Sequence, residues 1–570
     1  MRRSARWLLA FATLLGALVW LAQRWYRAHT WLPVVDTLGL EQPEPAPRLS
    51  LTIIPLRERE PTAAELLEQR LAALAADVEE RKRTRAPAGL VEFDVEGLSA
   101  ELATILAGVG DAAQFSIHIR DLRTGHVLFD DFGDTPLNPA SNQKLLTSAA
   151  ALELLGADYT FVTRVLRDDT RLFLVGEGDP QLGVDDLRVL AGEVVASSDV
   201  TSFAELVVDD SAFSHDRLAP GYDRGGPGPA YEAESSALSV GYNFVTITAA
   251  AQAGQVVVTT LPSTRAIVID NRARIGSRRK LTVRTLDRGG DTVVEVRGTL
   301  NKRGPAHVVN LRIHDPARVA GSLFTEALAE LSASQPLRIA RGVAPETAEE
   351  LAQHESVTLL EILDLGLAYS NNFIAEQVLR TLAWRMTGEP GDWAAGQDIL
   401  LGYWSALGND PDRVVVENGS GLSRNGRLTT EGLVDLIAMA TRGADPGRGL
   451  IDALPVAGEE GTLRSRLRLS GKRVRAKTGT LFDVSGLTGV ITAEDGTPVV
   501  AFSILINAID VQKLDAPVRR AIEDRIVTAT LSALDDYEAR LTGIVPATAI
   551  KGARPRAPWR AVAPAGRSRP

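Results

Sequence analysis

The 570-residue chain contains no cysteine, which removes disulfides, thiolate metal sites and cysteine nucleophiles from its possible chemistry. Histidine is scarce: the seven residues, at 29, 118, 126, 215, 307, 314 and 354, form no pair with metal-ligand spacing such as H-E-x-x-H. A metal centre and a histidine base are therefore not expected. There is no excess of basic charge either. The formal net charge of -10 opposes nucleic-acid binding, which needs a basic face against phosphate. No G-x-S-x-G elbow occurs, which argues against a Ser-His-Asp hydrolase. What is present is an apolar share of 45%, that of a globular protein, in a chain long enough for two or three domains plus linkers.

At the N-terminus Arg2, Arg3 and Arg6 precede an uncharged apolar run from Trp7 to Ala22, WLLAFATLLGALVWLA. A positive flank before such a run reads as an export signal. Trp20 and Leu21 leave no small-x-small cleavage site, so residues 1–30 are expected to be an uncleaved membrane anchor, with a cleaved signal or a buried helix as alternatives. The remaining chain would then lie outside the cytoplasm. Residues 31–93 read as a spacer, with the proline-rich QPEPAP and one charged helix from Thr62 to about Arg83. The last stretch, 543–570, is basic and rich in proline and alanine, and is expected to be disordered.

Between these ends the periodicity changes several times. QFSIHIRD, the turn LRTG and HVLFDD read as a hairpin starting at Gln114, and VSGLTGVITA, EDGT and PVVAFSILIN as a second one late in the chain. A helix follows from about Ala516 to Leu541. Early and late strands can pair in one sheet, with helices between them, which is an α+β fold with an antiparallel sheet flanked by helices. Residues 160–312, with AELVVDDSAF and GQVVVTTL, read as a separate β-rich insertion. A helical stretch is expected from Asp315 through Leu382. The main domain is thus expected in two pieces, 94–159 and 313–542.

Three short motifs can carry chemistry. In LNPASNQKLLTSAAALELLG, Pro139 and Ser141 stand where a helix would begin, Leu145, Leu146, Ala149 and Leu152 follow at helical spacing, and Gly156 would end it. Ser141 and Lys144 then lie one turn apart on one face. A serine hydroxyl becomes nucleophilic when a nearby lysine of lowered pKa takes its proton. S-x-x-K alone is weak evidence, because Ser277 and Lys280 also match it, in a charged strand edge. Lys477, Thr478 and Gly479 open the late apolar alternation. Only eight of the 62 basic residues are lysine, so roughly 0.05 chance K-T-G matches are expected in the chain. Lysine and threonine on an edge strand can hold a substrate carboxylate while the strand backbone pairs with an extended peptide, and glycine lets a ligand approach closely. An S-x-N element has two candidates. Ser370 and Asn372 lie between two helical stretches and suit a cleft. Ser423 and Asn425 lie in a glycine-rich loop suited to substrate contacts or a turn.

Ser141, Lys144, Ser370, Asn372, Lys477 and Thr478, in this order, resemble the three-part set of penicillin-binding proteins and β-lactamases. The 229 positions from Ser141 to Ser370 narrow the resemblance to the D-alanyl-D-alanine carboxypeptidase/endopeptidase family, peptidase family S13. PASNQK, GEGDPQL, DDSAF, SALSV, ENGSGLSR and LPVAGEEGTLRSR resemble it too, over about residues 95–540. The resemblance implies a transpeptidase/β-lactamase-like domain with a large β-rich insertion after the first motif, and hydrolysis of D-Ala-D-Ala, with cross-links as a further substrate, in peptidoglycan stem peptides. It implies β-lactams as inhibitors, and no metal or cofactor. It casts Ser141 as nucleophile, Lys144 as base, Ser370 as proton relay, Asn372 as orienting group, and Lys477 with Thr478 as carboxylate holders. Backbone N–H groups of Ser141 and Thr480 would form the oxyanion hole, with Gly479, Leu422 and Arg424 as further substrate contacts. Asp483 stands where the family usually has glycine, and Glu417 where it has aspartate. Two rival readings are a peptidoglycan-binding envelope protein without turnover and a β-lactamase or esterase on the same fold. The oligomeric state is not legible.

Overall fold

The computed structural model describes residues 61–83, 93–224, 228–441 and 447–542. The candidate anchor and the basic tail lie outside them. Among the described residues no helix is long and apolar enough to cross a membrane.

In chain order the principal elements begin with helices α1 (Ala63–Arg83) and α2 (Val95–Ala107), the hairpin β1 (Ala113–Asp121) and β2 (Val127–Asp131), and helix α3 (Gln143–Leu155). Next come β3 (Val162–Arg167), β4 (Arg171–Gly176), α4 (Val184–Ser197) and β5 (Glu205–Asp209). Strands β6 (Phe244–Gln252), β7 (Gln255–Leu261), β8 (Ile267–Asn271), β9 (Arg274–Gly276), β10 (Lys280–Arg288), β11 (Asp291–Asn301) and β12 (His307–Arg312) follow. Then come α5 (Pro316–Ser332), β13 (Arg338–Arg341), β14 (Glu349–Glu355), α6 (Leu359–Ala368), α7 (Asn372–Thr387), α8 (Trp393–Ala406), α9 (Thr430–Ala440) and α10 (Gly447–Asp452). The chain closes with β15 (Val474–Thr480), β16 (Val484–Thr492), β17 (Pro498–Ala508) and α11 (Ala516–Thr542).

The expected α+β core is present. An antiparallel sheet runs β15-β16-β17-β1-β2, so the early and late hairpins do pair, with Ile117 opposite Ile504. Both faces of its central strands are covered, because successive side chains point to opposite sides. Phe502, Ile504 and Ile506 pack with Leu98, Leu102 and Ile526 of α2 and α11. Ala501 and Leu505 face the helical core of α3, α7, α8 and α9. The β-rich segment forms three further sheets: β13-β5-β4-β3-β14, β12-β6-β7, and β10-β11-β8 with β9 beside β11. Helices α4 and α5 share their hydrophobic core.

Two expectations about organisation need correction. The sequence places the end of the β-rich segment at about 312 and a helical stretch from Asp315 through Leu382. Yet β13 pairs with β5 and β14 with β3, which carries strand pairing to Glu355. RIAR and EELAQHE are edge strands, and polar edge residues suppress the alternation by which strands are recognised. The helix of the expected spacer, likewise, is docked on the core. Leu67, Leu71, Leu74, Ala75 and Val78 form a stripe at helical spacing against the helical core, and Arg70 donates to the carbonyl of Leu154. Its many charges concealed that stripe.

Helix α11 is tied to the site sheet by buried charge. Glu523 is fully buried, accepts from Ser485 Oγ, and pairs with Arg466 at 2.8 Å. Removing one partner of a buried pair strands the other charge. Arg466→Ala should therefore lower stability by about 3 kcal/mol, read as a lower urea midpoint at unchanged m-value. A change below about 0.5 kcal/mol would show that the pair behaves as a surface contact.

Candidate active site

Ser141 lies in a 3-10 turn, Ala140–Asn142, that leads into α3. Lys144 follows one turn on and is 1% exposed. Its ammonium nitrogen has three acceptors: Ser141 Oγ at 3.2 Å, Asn372 Oδ1 at 2.7 Å and the carbonyl of Ser420 at 2.8 Å. Burial drives its pKa down to about 7, against the opposing pull of the Glu376 carboxylate. At neutral pH much of the population is a free amine within reach of a hydroxyl, the arrangement that activates a serine.

Ser370 and Asn372 come from the junction of α6 and α7. Ser370 adopts φ +57°, a left-handed conformation unusual for a residue with a side chain. Asn371 caps α7 by accepting from the backbone N–H of Ile374. Asn372 thus begins a rigid helix, with Oδ1 on Lys144 and Nδ2 donating to the carbonyl of Tyr231.

Strand β15 is the edge of its sheet. Lys477 is completely buried and donates to Ser370 Oγ at 2.9 Å and to the Thr478 carbonyl at 2.6 Å. Burial, and then the charge of Lys144, hold its pKa well below the usual lysine range. Thr478 Oγ1 bonds to Thr462 Oγ1, whereas Thr480 is exposed. Five of the six motif residues are thus linked side chain to side chain, as Ser141–Lys144–Asn372 and Ser370–Lys477, and Thr478 follows Lys477 on the strand.

Gly479 also has a packing use that the sequence does not show. A Cβ there would meet the Pro139 carbonyl at 2.8 Å and Asn142 Nδ2 at 2.9 Å, and at Gly486 it would meet Asn142 Nδ2 at 2.3 Å. The neighbour that comes close is the serine turn itself, seated on β15 and β16. Gly421 acts similarly from the other side: its φ is +76°, and a Cβ would lie 2.0 Å from the Ala140 carbonyl. Asn138 closes the seat, accepting from Ala140 N and donating to the carbonyls of Ser423 and Arg424.

The structure also separates the duplicates. Ser277 and Lys280 are exposed at a distant strand edge. Ser423 and Asn425 are consumed in a turn: Ser423 Oγ donates to Glu417, accepts from Asn425 N, and Asn425 Nδ2 donates to Glu417 at 2.9 Å. Leu422 is half-buried beside that turn, while Arg424 is exposed and ion-paired with Asp483. The unusual Asp483 is thus a neutralised charge at the rim. The Leu481 and Phe482 carbonyls before it accept from the buried Arg519 of α11.

Several site residues were missed in the sequence. Glu376 is 1% exposed and lies one helical turn beyond Asn372. It accepts from the N–H groups of Gly419 and Ser420 and from the Tyr222 hydroxyl. A lone acid in the mainly apolar FIAEQVL was the available signal. Thr462 lay in LPVAGEEGTLRSR, a family-like stretch to which no role was given, and Tyr222 had no signal, since only the folded chain brings it to the site.

Comparison with known proteins places this geometry in context. Residues 98–531 match the D-Ala-D-Ala carboxypeptidase 3 (S13) family. The chain is 35% identical over 445 residues to a D-alanyl-D-alanine carboxypeptidase of Actinomadura sp. strain R39, spanning 73% of this chain and 81% of the relative. It is 29% identical over 434 residues to a carboxypeptidase of Mycobacterium tuberculosis, spanning 72% and 80%. In fold it resembles the crystal structure of penicillin binding protein 4 (dacB) from Haemophilus influenzae, with a TM-score of 0.64 at 20% identity, over 78% of this chain and 99% of that one.

The tight seat of the serine turn gives a test. Gly486→Ala should displace Asn142 and with it Ser141, and a misplacement of order 1 Å costs about 100-fold in rate. Labelling of Ser141 by a serine-acylating probe should slow accordingly, and an unchanged labelling rate would remove the seat from the account of reactivity.

Proposed function

We propose a division of labour among the site residues from one premise: the chain belongs to the D-Ala-D-Ala carboxypeptidase 3 (S13) family and is a serine-type D-Ala-D-Ala carboxypeptidase acting in peptidoglycan metabolism. The observation that carries the assignment is the contact of Lys144 Nζ with Ser141 Oγ at 3.2 Å, in a pocket that lowers the amine's pKa to about 7.

The stem peptide lies along the edge strand β15, its backbone pairing as an added strand. Its terminal carboxylate is held by Lys477 and Thr478. Lys477 is short of counter-charge until that carboxylate arrives, so binding of substrate favours its protonated form. Neutral Lys144 takes the proton from Ser141, and Oγ attacks the carbonyl of the penultimate D-alanine. Backbone N–H groups of Ser141 and Thr480 stabilise the oxyanion. The proton passes to the leaving amine by way of Ser370, whose hydroxyl already accepts from Lys477. Asn372 keeps Lys144 aimed at Ser141 throughout. Water, activated by Lys144, then cleaves the ester. A β-lactam ring offers the same carbonyl and carboxylate and acylates Ser141 in place of the peptide.

The N-terminal apolar run Trp7–Ala22 fits this role, because an exported or anchored chain meets peptidoglycan in the cell envelope. At the rim, Arg424 and Asp483 neutralise each other and present a substrate side chain with both charges.

Ser141→Ala should abolish both covalent labelling by a tagged penicillin, read by mass spectrometry, and release of D-alanine, with an unchanged fold by circular dichroism. Labelling that survives would refute the nucleophile. Since the neutral amine is the active form, acylation should rise with pH through about 7 and then level off. A limb near the ordinary lysine value would exclude Lys144 as base. Asp483→Gly should free the Arg424 guanidinium and raise kcat/KM a few-fold for stem peptides carrying a side-chain carboxylate, relative to neutral ones. An unaltered ratio would place the pair outside substrate recognition.

A further inference from the structure

Close enough to Lys144 to act on its charge sits a buried carboxyl group that the reaction scheme leaves unused. Glu376 is 1% exposed, with one oxygen accepting from Gly419 N at 2.9 Å and the other from Ser420 N at 3.0 Å and Tyr222 OH at 3.3 Å. One of the two residues it fixes also grips the base: Ser420 donates its N–H to Glu376, and its carbonyl accepts from Lys144 Nζ at 2.8 Å. Asn372, the other anchor of Lys144, stands four residues earlier on the same face of α7. A single helix therefore holds the amine twice, directly through an amide and indirectly through a carboxylate and a backbone.

A buried acid is costly unless it is paired or richly hydrogen-bonded. Burial raises the proton affinity of Glu376 above that of an ordinary carboxylate, while the hydrogen bonds from Gly419 and Ser420 and the charge of Lys144 pull the other way, towards the ionised form. The charged groups around it are few. Lys144 faces it from α3, and the charge of Lys144 acts in turn on Lys477 of β15. Arg380 lies one turn further along α7 and senses Glu376. Tyr222 faces it from the 219–222 segment, and Glu232 acts on that phenol. The loop of Asn418, Gly419 and Ser420 brings only neutral groups. Hence the carboxylate is the anion that acts on the base from within the protein.

We propose that Glu376 is a positioning residue for the acylation step: its carboxylate fixes the Gly419–Ser420 backbone that grips Lys144, and its charge sets the proton affinity of that amine. The idea rests on Lys144 being the base. The site then balances two demands. Without the carboxylate the amine would be neutral at lower pH, yet poorly held and a weaker acceptor. With it, the amine stays basic enough to take a serine proton at neutral pH.

Two variants test this through the pH dependence of penicillin acylation, measured as the second-order rate constant on the full chain. Glu376→Gln, which removes the charge at nearly constant shape, should move the acid limb to lower pH by about one unit and lower the plateau by tenfold or more. Tyr222→Phe keeps the carboxylate but removes a donor that disperses its charge, so the coupled pair holds its proton more tightly and the limb should move to higher pH by a few tenths of a unit. Opposite shifts are what a merely structural role would not produce. If folded Glu376→Gln cannot be obtained, the direction of the Tyr222→Phe shift decides alone. Limbs that stay at the wild-type position, or that move together, overturn the role of Glu376 while leaving Lys144 as base. Absence of a limb near pH 7 in the wild-type protein overturns both.

Discussion

One buried amine organises this molecule. Lys144 has lost its water, and a lysine in that position must find acceptors or surrender its proton. It does both in part. Its acceptors come from three separate stretches of chain: Ser141 in its own turn, Asn372 at the start of α7, and the Ser420 carbonyl in the glycine-rich loop. Each must be delivered within hydrogen-bond distance, which fixes the mutual placement of the site sheet, the helical core and that loop. The requirement passes outward along α7. Gln377 donates to the carbonyls of Gly178 and Ser236. Arg380, fully buried between the rings of Phe213 and Trp393, donates to the carbonyls of Ser214, Ser235 and Gly391. The β-rich segment is thereby fastened to the helix that orients the base.

The same constraint explains where the backbone is strained. Ala140, next to Ser141, and Ser370, bonded to Lys477, have φ of +44° and +57°, a region in which L residues lose free energy unless the surroundings impose it. The surroundings do impose it. Glycines at 421, 479 and 486 let three backbone segments crowd the turn around Ala140 more closely than any side chain would allow. Stability is thus spent on holding a serine and a lysine in one geometry.

Much of this was legible in the sequence, for definable reasons. Strands β1, β2, β16 and β17 and helix α11 carry strong periodicity between plain turn signals, and they fall where periodicity places them. The six motif residues were legible because their chemistry requires particular side chains at short spacing. Features that depend on tertiary packing were not. The stripe of Leu67, Leu71, Leu74 and Val78 was hidden among charges, and β13 is too short, and β14 too polar, to register as a strand. Gly479 was visible as a glycine, but that its neighbour is the serine turn could be read only from the folded chain. Glu376 was visible as an acid, but nothing local distinguishes a buried acid from a solvated one.

Electrostatics finally suggests an order of events. Two lysines share one buried site, and each lowers the proton affinity of the other, so both cannot be fully charged when it is empty. Glu376 lies beside Lys144, whereas the near partners of Lys477 are the neutral oxygens of Ser370 and Thr478. The empty site therefore favours a proton on Lys144 over one on Lys477. In the proposed binding mode a substrate that ends in a carboxylate reverses this preference, because it would bring an anion to Lys477 from outside. Charge on Lys477 then pushes the proton of Lys144 away, and the amine becomes a base when the peptide carbonyl is in place. Recognition of the terminal carboxylate and activation of the nucleophile are, on this view, one electrostatic event, and a peptide amidated at its C-terminus would lose turnover as well as affinity.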